Sequence, residues 1–334
     1  MEQPRLGGRP YQLPSVQEAL GWLPKTQHMA RRMLILSDIH ANWHALTAVL
    51  KDASQRGCDG TMFLGDIVGY GTRPVECVEL LMHGLSEHGR WVAGNHDLGV
   101  TKRLSAMPEM FGITHGAAAL NTWEWHAEEL KKSPHIWDWF VENAIPERAT
   151  MQTHSHDSFR QLYVHSNPVD KVGSNLFADD HNNLHHYLHD AGYDVVLGVG
   201  HTHMVCLVHL PLSDGHINLL PITYGVPIPM GTGAYLFNPG SVGQPRDGDQ
   251  RAAYAVLDTI ERTITFYRVP YRCIDVTREL RSRAAGKCTE QVVETLVDRI
   301  ASGRIRDTDN YDRVYRQLEE GAGIVPINRA RLDG

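Results

Sequence analysis

Residues 33–40 read MLILSDIH, in which four apolar side chains are followed by Ser37, Asp38, Ile39 and His40. A short run that is apolar at every position is typical of a β-strand buried on both faces, because an exposed face would introduce alternating polar residues. Asp38 and His40 would then lie at the carboxyl end of this strand. Their spacing of two would point both side chains to one side if the backbone there is extended.

The same arrangement recurs along the chain. Residues 61–64 form a second apolar run that is followed by Asp66, and residues 91–93 form a third that is followed by Asn95 and His96. Between these runs, apolar residues recur at helical spacing. This order predicts a β-α-β-α-β unit, with units of the length that right-handed parallel crossovers require.

The second half of the chain is richer in strands. We predict six of them, at residues 162–164, 195–199, 205–210, 234–237, 252–257 and 264–267. A polar turn joins the last two, which predicts a hairpin. Parallel units followed by hairpins indicate an α/β protein in which two sheets pack together with helices outside.

The 334 residues allow two domains or one large α/β domain with an appendage. Residues 1–31 are rich in proline and glycine and predict an N-terminal extension that is loosely packed or caps the fold. Residues 32–275 hold the strands, with a helical stretch rich in tryptophan, methionine and histidine at about 98–150 that we expect to form a cap or lid. Residues 276–334 return to helical spacing and predict a C-terminal helical segment packed on the domain.

The composition is that of a globular protein, with 42% hydrophobic and 21% charged residues. A net charge of −7 argues against a general nucleic-acid-binding surface. No apolar run approaches the roughly 18 residues that a membrane-spanning helix needs. Five scattered cysteines form no CxxC pair, which indicates a reduced, cytoplasmic protein. The sequence leaves the oligomeric state open.

Five predicted strands end in side chains that can bind metals. These are Asp38 with His40, Asp66, Asn95, His165, and His201 with His203. A single aspartate after a strand is more often a helix N-cap, but the carboxyl edge of an α/β sheet is also where ligands bind. Buried there without partners, so many polar groups would each be destabilising by several kcal/mol. A pair of cations would remove that cost, since seven ligands suffice for two ions when one carboxylate bridges them.

These blocks resemble the signature of the calcineurin-like metallophosphoesterase superfamily. The matching blocks are Asp38-Ile39-His40, Gly65-Asp66 with Gly71, Gly94-Asn95-His96-Asp97, His165 and Gly200-His201-Thr202-His203. Residues 238–248, NPGSVGQPRDG, resemble a segment of the small bacterial and archaeal, phosphodiesterase-like members. One departure is Ala41, where relatives often have glycine. The resemblance implies a four-layer α-β-β-α sandwich of two mixed sheets with flanking helices.

The resemblance also implies two sets of metal ligands that share one bridging carboxylate. The first set is Asp38, His40 and His203, the second is Asn95, His165 and His201, and the bridge is Asp66. His96 would be the catalytic histidine, oriented by Asp97. Two such ions would lower the pKa of a bridging water to give hydroxide, and they would hold the phosphate for in-line attack. His96 would protonate the leaving oxygen or stabilise the charge that builds on phosphorus.

The ligand types bear on the metal and on pH. Mixed histidine, aspartate and asparagine ligands favour Mn, Fe, Zn, Co or Ni, with Mn favoured, over Ca or an all-oxygen Mg site. Four ligand imidazoles must be neutral to bind metal. With a histidine pKa near 6.5, activity should collapse below about pH 5.5–6.

Arg246 and the remaining histidines lie outside the predicted ligand set. Arg246, in the glycine-rich turn of residues 238–248, could bind a substrate phosphate, or it could pair with Asp247 or Asp249. Histidines outside the blocks, among them His44 and His126, are expected mostly at the surface.

The leading hypothesis is a metal-dependent phosphoesterase that acts on phosphodiesters. The sequence has no arginine pair near GNHD, and Arg103 is the nearest arginine after it. This weakly favours a diesterase over a phosphomonoesterase, a phosphoprotein phosphatase or a dinucleoside-polyphosphate hydrolase. A non-enzymatic binding scaffold of the same fold is the remaining alternative, and the complete set of seven ligands with His96 argues against it. The expected partner is a phosphoester, either a small molecule or a nucleotide.

Overall fold

The computed structural model describes residues 12–24, 30–84, 90–104, 116–153, 160–169, 171–173, 175–178, 180–191, 194–212, 215–305, 311 and 315. The strands, in chain order, are β1 (Arg32–Leu36), β2 (Gly60–Phe63), β3 (Arg90–Trp91), β4 (Thr150–Thr153), β5 (Arg160–Val164), β6 (Val195–Gly198), β7 (Cys206–Leu210), β8 (Asn218–Leu219), β9 (Ile228–Pro229), β10 (Ala234–Asn238), β11 (Ala252–Asp258) and β12 (Thr263–Val269). The helices are α1 (Val16–Leu20), α2 (Trp43–Ala53), α3 (Pro74–Gly84), α4 (Asn95–Val100), α5 (Ala117–Lys131), α6 (Pro134–Asn143), α7 (His181–Ala191), α8 (Cys273–Arg283) and α9 (Glu290–Ser302).

These strands form two mixed six-stranded sheets, which confirms the predicted fold class. The strand order is β3-β2-β1-β11-β12-β9 in the first sheet and β4-β5-β6-β10-β7-β8 in the second. Strands β1, β2 and β3 are parallel, as are β5, β6 and β10, and the other pairs are antiparallel. The predicted β-α-β-α-β unit is present as β1-α2-β2-α3-β3, and the predicted hairpin is β11–β12.

The alternation of side chains along β1 explains why the sheets pack face to face. Met33 and Ile35 contact the layer between the sheets, where Phe237 of the second sheet is also buried. Leu34 and Leu36 point the other way and pack with helices α2 and α3. On the far side of the second sheet, α7 covers a separate apolar cluster. The apolar run of β1 is therefore buried on both faces, as predicted, and the chain is layered as helices, sheet, sheet and helix.

Segments outside the sheets add to the helical layer of the first sheet. Helix α1 packs on α2 and α3, and the Trp43 indole donates a hydrogen bond to the Pro14 carbonyl over 2.9 Å. Helices α5 and α6, in the stretch predicted as a cap, pack on α3, α4 and α9. Helix α9 in turn packs on α8. Residues 1–11, 105–115 and 316–334 lie outside the described residues.

None of the helices in the described part of the chain combines the length and the apolar character needed to cross a membrane.

The packing between the sheets predicts a large effect of Phe266→Ala. Phe266 on β12 is fully buried in the layer between the sheets, so its truncation should lower the free energy of unfolding by about 3–5 kcal/mol. Urea denaturation of the metal-free protein measures this. The control is Ile260→Ala in the exposed β11–β12 turn, for which we expect a change within about 0.5 kcal/mol. Equal stability of the two variants would contradict the packing described.

Candidate metal centre

The seven predicted ligands converge where the carboxyl ends of the two sheets meet. The histidine nitrogens and carboxylate oxygens fall into sets whose atoms lie within 4.8 Å of one another. The first set is Asp38, His40 and His203, and the second is Asp66, His165 and His201. The amide of Asn95 belongs with the second set, because its Oδ1 lies 3.1 Å from His165 Nε2 and 3.0 Å from His201 Nδ1.

Asp66 lies between the two sets. Its Oδ2 is 3.7 Å from His40 Nε2 and 3.3 Å from His165 Nε2. One oxygen is therefore placed to face both halves of the site, which is the position that the resemblance implies for a bridging ligand.

In the first set, a hydrogen bond to a backbone carbonyl fixes which nitrogen of each histidine ring is turned towards the other ligand atoms. His40 Nδ1 lies 3.0 Å from the Val68 carbonyl, and His203 Nδ1 contacts the Gln244 carbonyl. A carbonyl oxygen only accepts, so each Nδ1 carries the proton and each Nε2 of the neutral rings presents a lone pair. The two Nε2 atoms nevertheless lie 3.1 Å apart. A cation between them would turn this repulsion into ligation.

The second set has the same character. His165 Nδ1 lies 2.7 Å from the Leu64 carbonyl, so its Nε2 faces Asn95 Oδ1 and Asp66 Oδ2. Both of these oxygens are acceptors, and a proton or a metal ion must lie among them. The donor set thus fits two divalent ions by its own chemistry.

Burial and charge move the pKa values of the site histidines in opposite directions. Burial lowers the pKa of His40 to about 3 and that of His201 to about 4, and it places the pKa of His203 well below its usual value. For His165, burial acts in the same direction, but the charge and hydrogen bond of Asp66 outweigh it and raise the pKa to about 9. The four histidines therefore have different pKa values, and the single pKa near 6.5 that the sequence analysis used does not describe them.

The backbone brings the ligands together in a way that the sequence did not indicate. Asp38, His40, Asp66, His201 and His203 have φ between 49° and 64°. This is the left-handed region, which non-glycine residues rarely adopt, so the expectation of an extended backbone at these pairs is wrong. Such strain persists only when surrounding contacts enforce it.

Ala41 has the same backbone conformation, with φ of 51°. It stands where relatives often have glycine, and it keeps the conformation that glycine favours. Alanine therefore occupies a left-handed position here without the loss of any candidate ligand.

Asp97 organises the backbone of the site. Its carboxylate accepts hydrogen bonds from the backbone N–H groups of Asp66, Ile67, Val68 and Gly94, at 2.9–3.2 Å. Gly94 is required for this approach, since a Cβ there would lie 2.1 Å from Asp66 Oδ1. Asp97 thus ties the loop after β2 to the start of α4.

The hydrogen bond that orients His96 comes from a residue that the sequence did not single out. Trp123 Nε1 donates to His96 Nδ1 over 2.8 Å. The contact implied between Asp97 and His96 is replaced by this one, because the Asp97 carboxylate is engaged by backbone amides. Burial holds the pKa of His96 well below its usual value, so the ring is neutral at pH 7.

Arg246 lies beside the metal ligands and is buried. Its Nη1 donates to the Tyr311 hydroxyl over 2.9 Å, and its Nη2 donates to Gln244 Oε1 over 3.2 Å. The alternative pairing with Asp247 or Asp249 is wrong, since these carboxylates pair with other arginines.

Two histidines that the sequence predicts at the surface lie inside the protein. His44 and His126 are both buried, so that prediction is wrong for them. His126 Nδ1 accepts from the Gly69 N–H over 3.0 Å, and its Nε2 lies 2.9 Å from the Gly71 carbonyl. The Tyr70 ring between these glycines lies 4.3 Å from that of His96. The tryptophan- and histidine-rich composition of residues 98–150 was the available signal.

Comparison with known proteins agrees with this geometry. The profile of the calcineurin-like phosphoesterase superfamily domain matches residues 32–262. The chain belongs to the calcineurin-like phosphoesterase superfamily. Membership, together with the histidine and aspartate sets, indicates a phosphoester hydrolase that binds divalent metal.

This calcineurin-like phosphoesterase is similar to proteins from archaea and bacteria. It is 33% identical to an uncharacterized protein of Methanocaldococcus jannaschii over 247 residues, which is 73% of this chain and 89% of the relative. It is also 33% identical to a crystallised metallophosphoesterase from Sphaerobacter thermophilus, with a TM-score of 0.60 over 82% of this chain and 99% of the other. A hypothetical protein from Pyrococcus horikoshii shares the fold at 17% identity, with a TM-score of 0.59 and the same coverage.

The raised pKa of His165 predicts that metal binding releases a proton. At pH 7 the metal-free protein should carry a proton on His165, whose pKa is about 9, while His40 and His201 are neutral. A ligand nitrogen must be unprotonated, so binding should release at least about one proton, and affinity should rise with pH towards about 9. Calorimetric titration of Mn²⁺ in buffers of different ionisation enthalpy counts the protons. The control is His185→Ala, which changes an exposed histidine of α7 and should release the same number of protons as the wild type. A heat independent of buffer would contradict the assignment.

Proposed function

We propose that this chain is a dinuclear-metal-dependent phosphodiesterase. The observation that supports this best is the pair of unprotonated Nε2 atoms of His40 and His203, 3.1 Å apart, with Asp66 placed between the two sets of donors. When bound, two divalent ions would lower the pKa of a water molecule and neutralise phosphate oxygens, and the mixed donors favour Mn. The ligands we assign are Asp38, His40, Asp66, Asn95, His165, His201 and His203.

His96 is the residue to which we assign contact with the reacting phosphate. A ring nitrogen of His96 lies within 4.8 Å of ligand atoms of His40 and Asp66. Since the hydrogen bond from Trp123 occupies Nδ1, Nε2 is the nitrogen that would face the substrate. A neutral N–H directed at a phosphate oxygen or at the leaving oxygen stabilises the charge that develops there.

Arg246 is the residue to which we assign the substrate phosphate. Its two side-chain partners, Tyr311 and Gln244, are both neutral, and its Nε has no hydrogen-bond partner among the described residues. A buried guanidinium without a carboxylate is costly, and a bound anion would remove that cost. Its positive charge contributes to the lowered pKa of His96 and His203, so it lies close to the reacting centre.

The charge of this subsite favours a diester. Beyond the charge that the two ions would supply, Arg246 adds one positive charge, which matches the single charge of a phosphodiester better than the two charges of a monoester dianion. Monoesters and dinucleoside polyphosphates remain the alternatives, and a non-enzymatic scaffold is the third.

A substrate panel tests the proposal and separates these alternatives. Protein loaded with Mn²⁺ is assayed with an aryl phosphodiester, the corresponding monoester and a dinucleoside tetraphosphate. We expect the highest kcat/KM for the diester. Preference for another member would replace the diesterase with that activity, and bound metal without hydrolysis of any member would favour the scaffold.

His96→Ala should lower kcat by about 10²–10⁴-fold, because the donor to the phosphate is lost. Its metal content should equal that of the wild type, since His96 is not one of the assigned ligands. Elemental analysis of the purified variant checks this. Wild-type turnover in the variant would remove the role assigned to His96.

Arg246→Met should raise KM for the diester by about tenfold to a hundredfold, as expected for the loss of a charge-assisted hydrogen bond. The matched control is Arg251→Met, an arginine of the neighbouring loop that pairs with Asp249. Steady-state kinetics should show no change in KM for the control. An equal KM in both variants would exclude Arg246 from phosphate binding.

A further inference from the structure

Helix α5 carries the residue that contacts His96 from outside the metal-binding loops. Trp123 and His96 are both buried, and their rings meet edge to face at 81° with centroids 5.5 Å apart. The indole N–H donates to Nδ1 over 2.8 Å. An indole nitrogen can only donate, so Nδ1 of His96 must be the unprotonated nitrogen.

The packing around Trp123 leaves the indole little freedom. A Cβ added at Gly99 of α4 would lie 2.4–2.7 Å from the indole ring, so the ring lies directly against the backbone of α4. On the other side, a Cβ at Gly69 would lie 2.2 Å from His96 Nδ1. The hydrogen bond between Trp123 and His96 is therefore set by close packing on both partners.

The same face of α5 also holds the loop that covers His96. His126, three residues after Trp123, binds the Gly69 N–H and the Gly71 carbonyl, and thereby holds Tyr70 against the His96 ring. Residues three apart lie on one side of a helix. Helix α5 thus reaches the site through two side chains, one on His96 and one on its neighbour.

We propose that Trp123 is a positioning residue that holds His96 as the tautomer with its proton on Nε2. The inference rests on the function proposed above, in which Nε2 faces the phosphate. In this arrangement His96 donates a hydrogen bond and transfers no proton, since its neutral ring has no further acidic proton to give at neutral pH. Of the two roles open to His96, stabilisation of the charge on the phosphate is then the one it performs.

An indole and a carboxylate at Nδ1 favour different protonation states of His96. A carboxylate at Nδ1 accepts a hydrogen bond from the N–H of that nitrogen and favours the doubly protonated, cationic ring. An indole donates to Nδ1 and would lose its hydrogen bond if that nitrogen were protonated. It also polarises the ring, which strengthens the Nε2–H as a donor. Trp123 therefore selects a neutral donor at this position.

The tautomer is measured without reference to activity. Long-range ¹H–¹⁵N correlation spectra of metal-free protein labelled with ¹⁵N-histidine separate the two neutral tautomers, and His96→Gln assigns the signal. We expect a protonated Nε2 and an unprotonated Nδ1 in the wild type. Trp123→Phe should move the His96 signals towards a mixture of tautomers. A protonated Nδ1 in the wild type would overturn the proposal.

Kinetics of the Mn-loaded protein provides the second readout. Trp123→Phe should lower kcat by about 10–100-fold with KM unchanged, because the donor geometry matters most in the transition state. Gly99→Ala, which displaces the indole, should act in the same direction. The matched control is Trp125→Phe, a buried tryptophan of the same helix whose Nε1 has no hydrogen-bond partner in the described structure.

The outcomes separate this inference from the proposed function. Trp125→Phe should leave both the His96 spectrum and kcat unchanged. Equal losses of kcat in Trp123→Phe and Trp125→Phe would reduce Trp123 to a packing residue and overturn the inference. If the wild type shows the expected tautomer but hydrolyses no phosphoester, the positioning of His96 stands and the proposed function fails.

Discussion

Mutual repulsion among buried electron-pair donors is the constraint on which this molecule is built. The unprotonated Nε2 atoms of His40 and His203 face each other, and Nε2 of His165 faces two oxygens that can only accept. Hydrogen bonds from each Nδ1 to a backbone carbonyl prevent these rings from relieving the conflict by turning over. Positive charge is required to hold such a cluster together, and Asp66 is placed where one oxygen can serve both halves.

The rest of the fold keeps the donors in place against this repulsion. Five of the seven candidate ligands have left-handed backbone conformations, which are maintained by contacts between loops that are distant in sequence. Residues 238–244, at the end of β10 and after it, provide several of these contacts. Asn238 binds the Gly200 carbonyl, Ser241 binds the Asp38 carbonyl, and the carbonyl of Gln244 fixes His203. Asp97 likewise holds the loop after β2, through hydrogen bonds from its backbone N–H groups.

Helices that contribute no metal ligand determine how the centre can be used. Helix α5 packs on α3, α4 and α9, and its Trp123 donates a hydrogen bond to His96 Nδ1. From the C-terminal segment, Tyr311 binds both Arg246 and the backbone of Thr202, between two ligands. The residues that we assign to the ions and those that we assign to the phosphate thus lie on different segments of the chain.

The sequence alone determined the strand–helix order, the two-sheet architecture and the identity of the seven candidate ligands, because apolar runs ending in polar side chains are local patterns. Tertiary structure decided the remainder. The left-handed backbone of the ligands, the burial of His126 and the partners of Arg246 depend on contacts between segments far apart in the chain. The most consequential case is Trp123. The sequence places it only in a tryptophan-rich helical stretch, and the packing of α5 on α4 brings its indole nitrogen to His96.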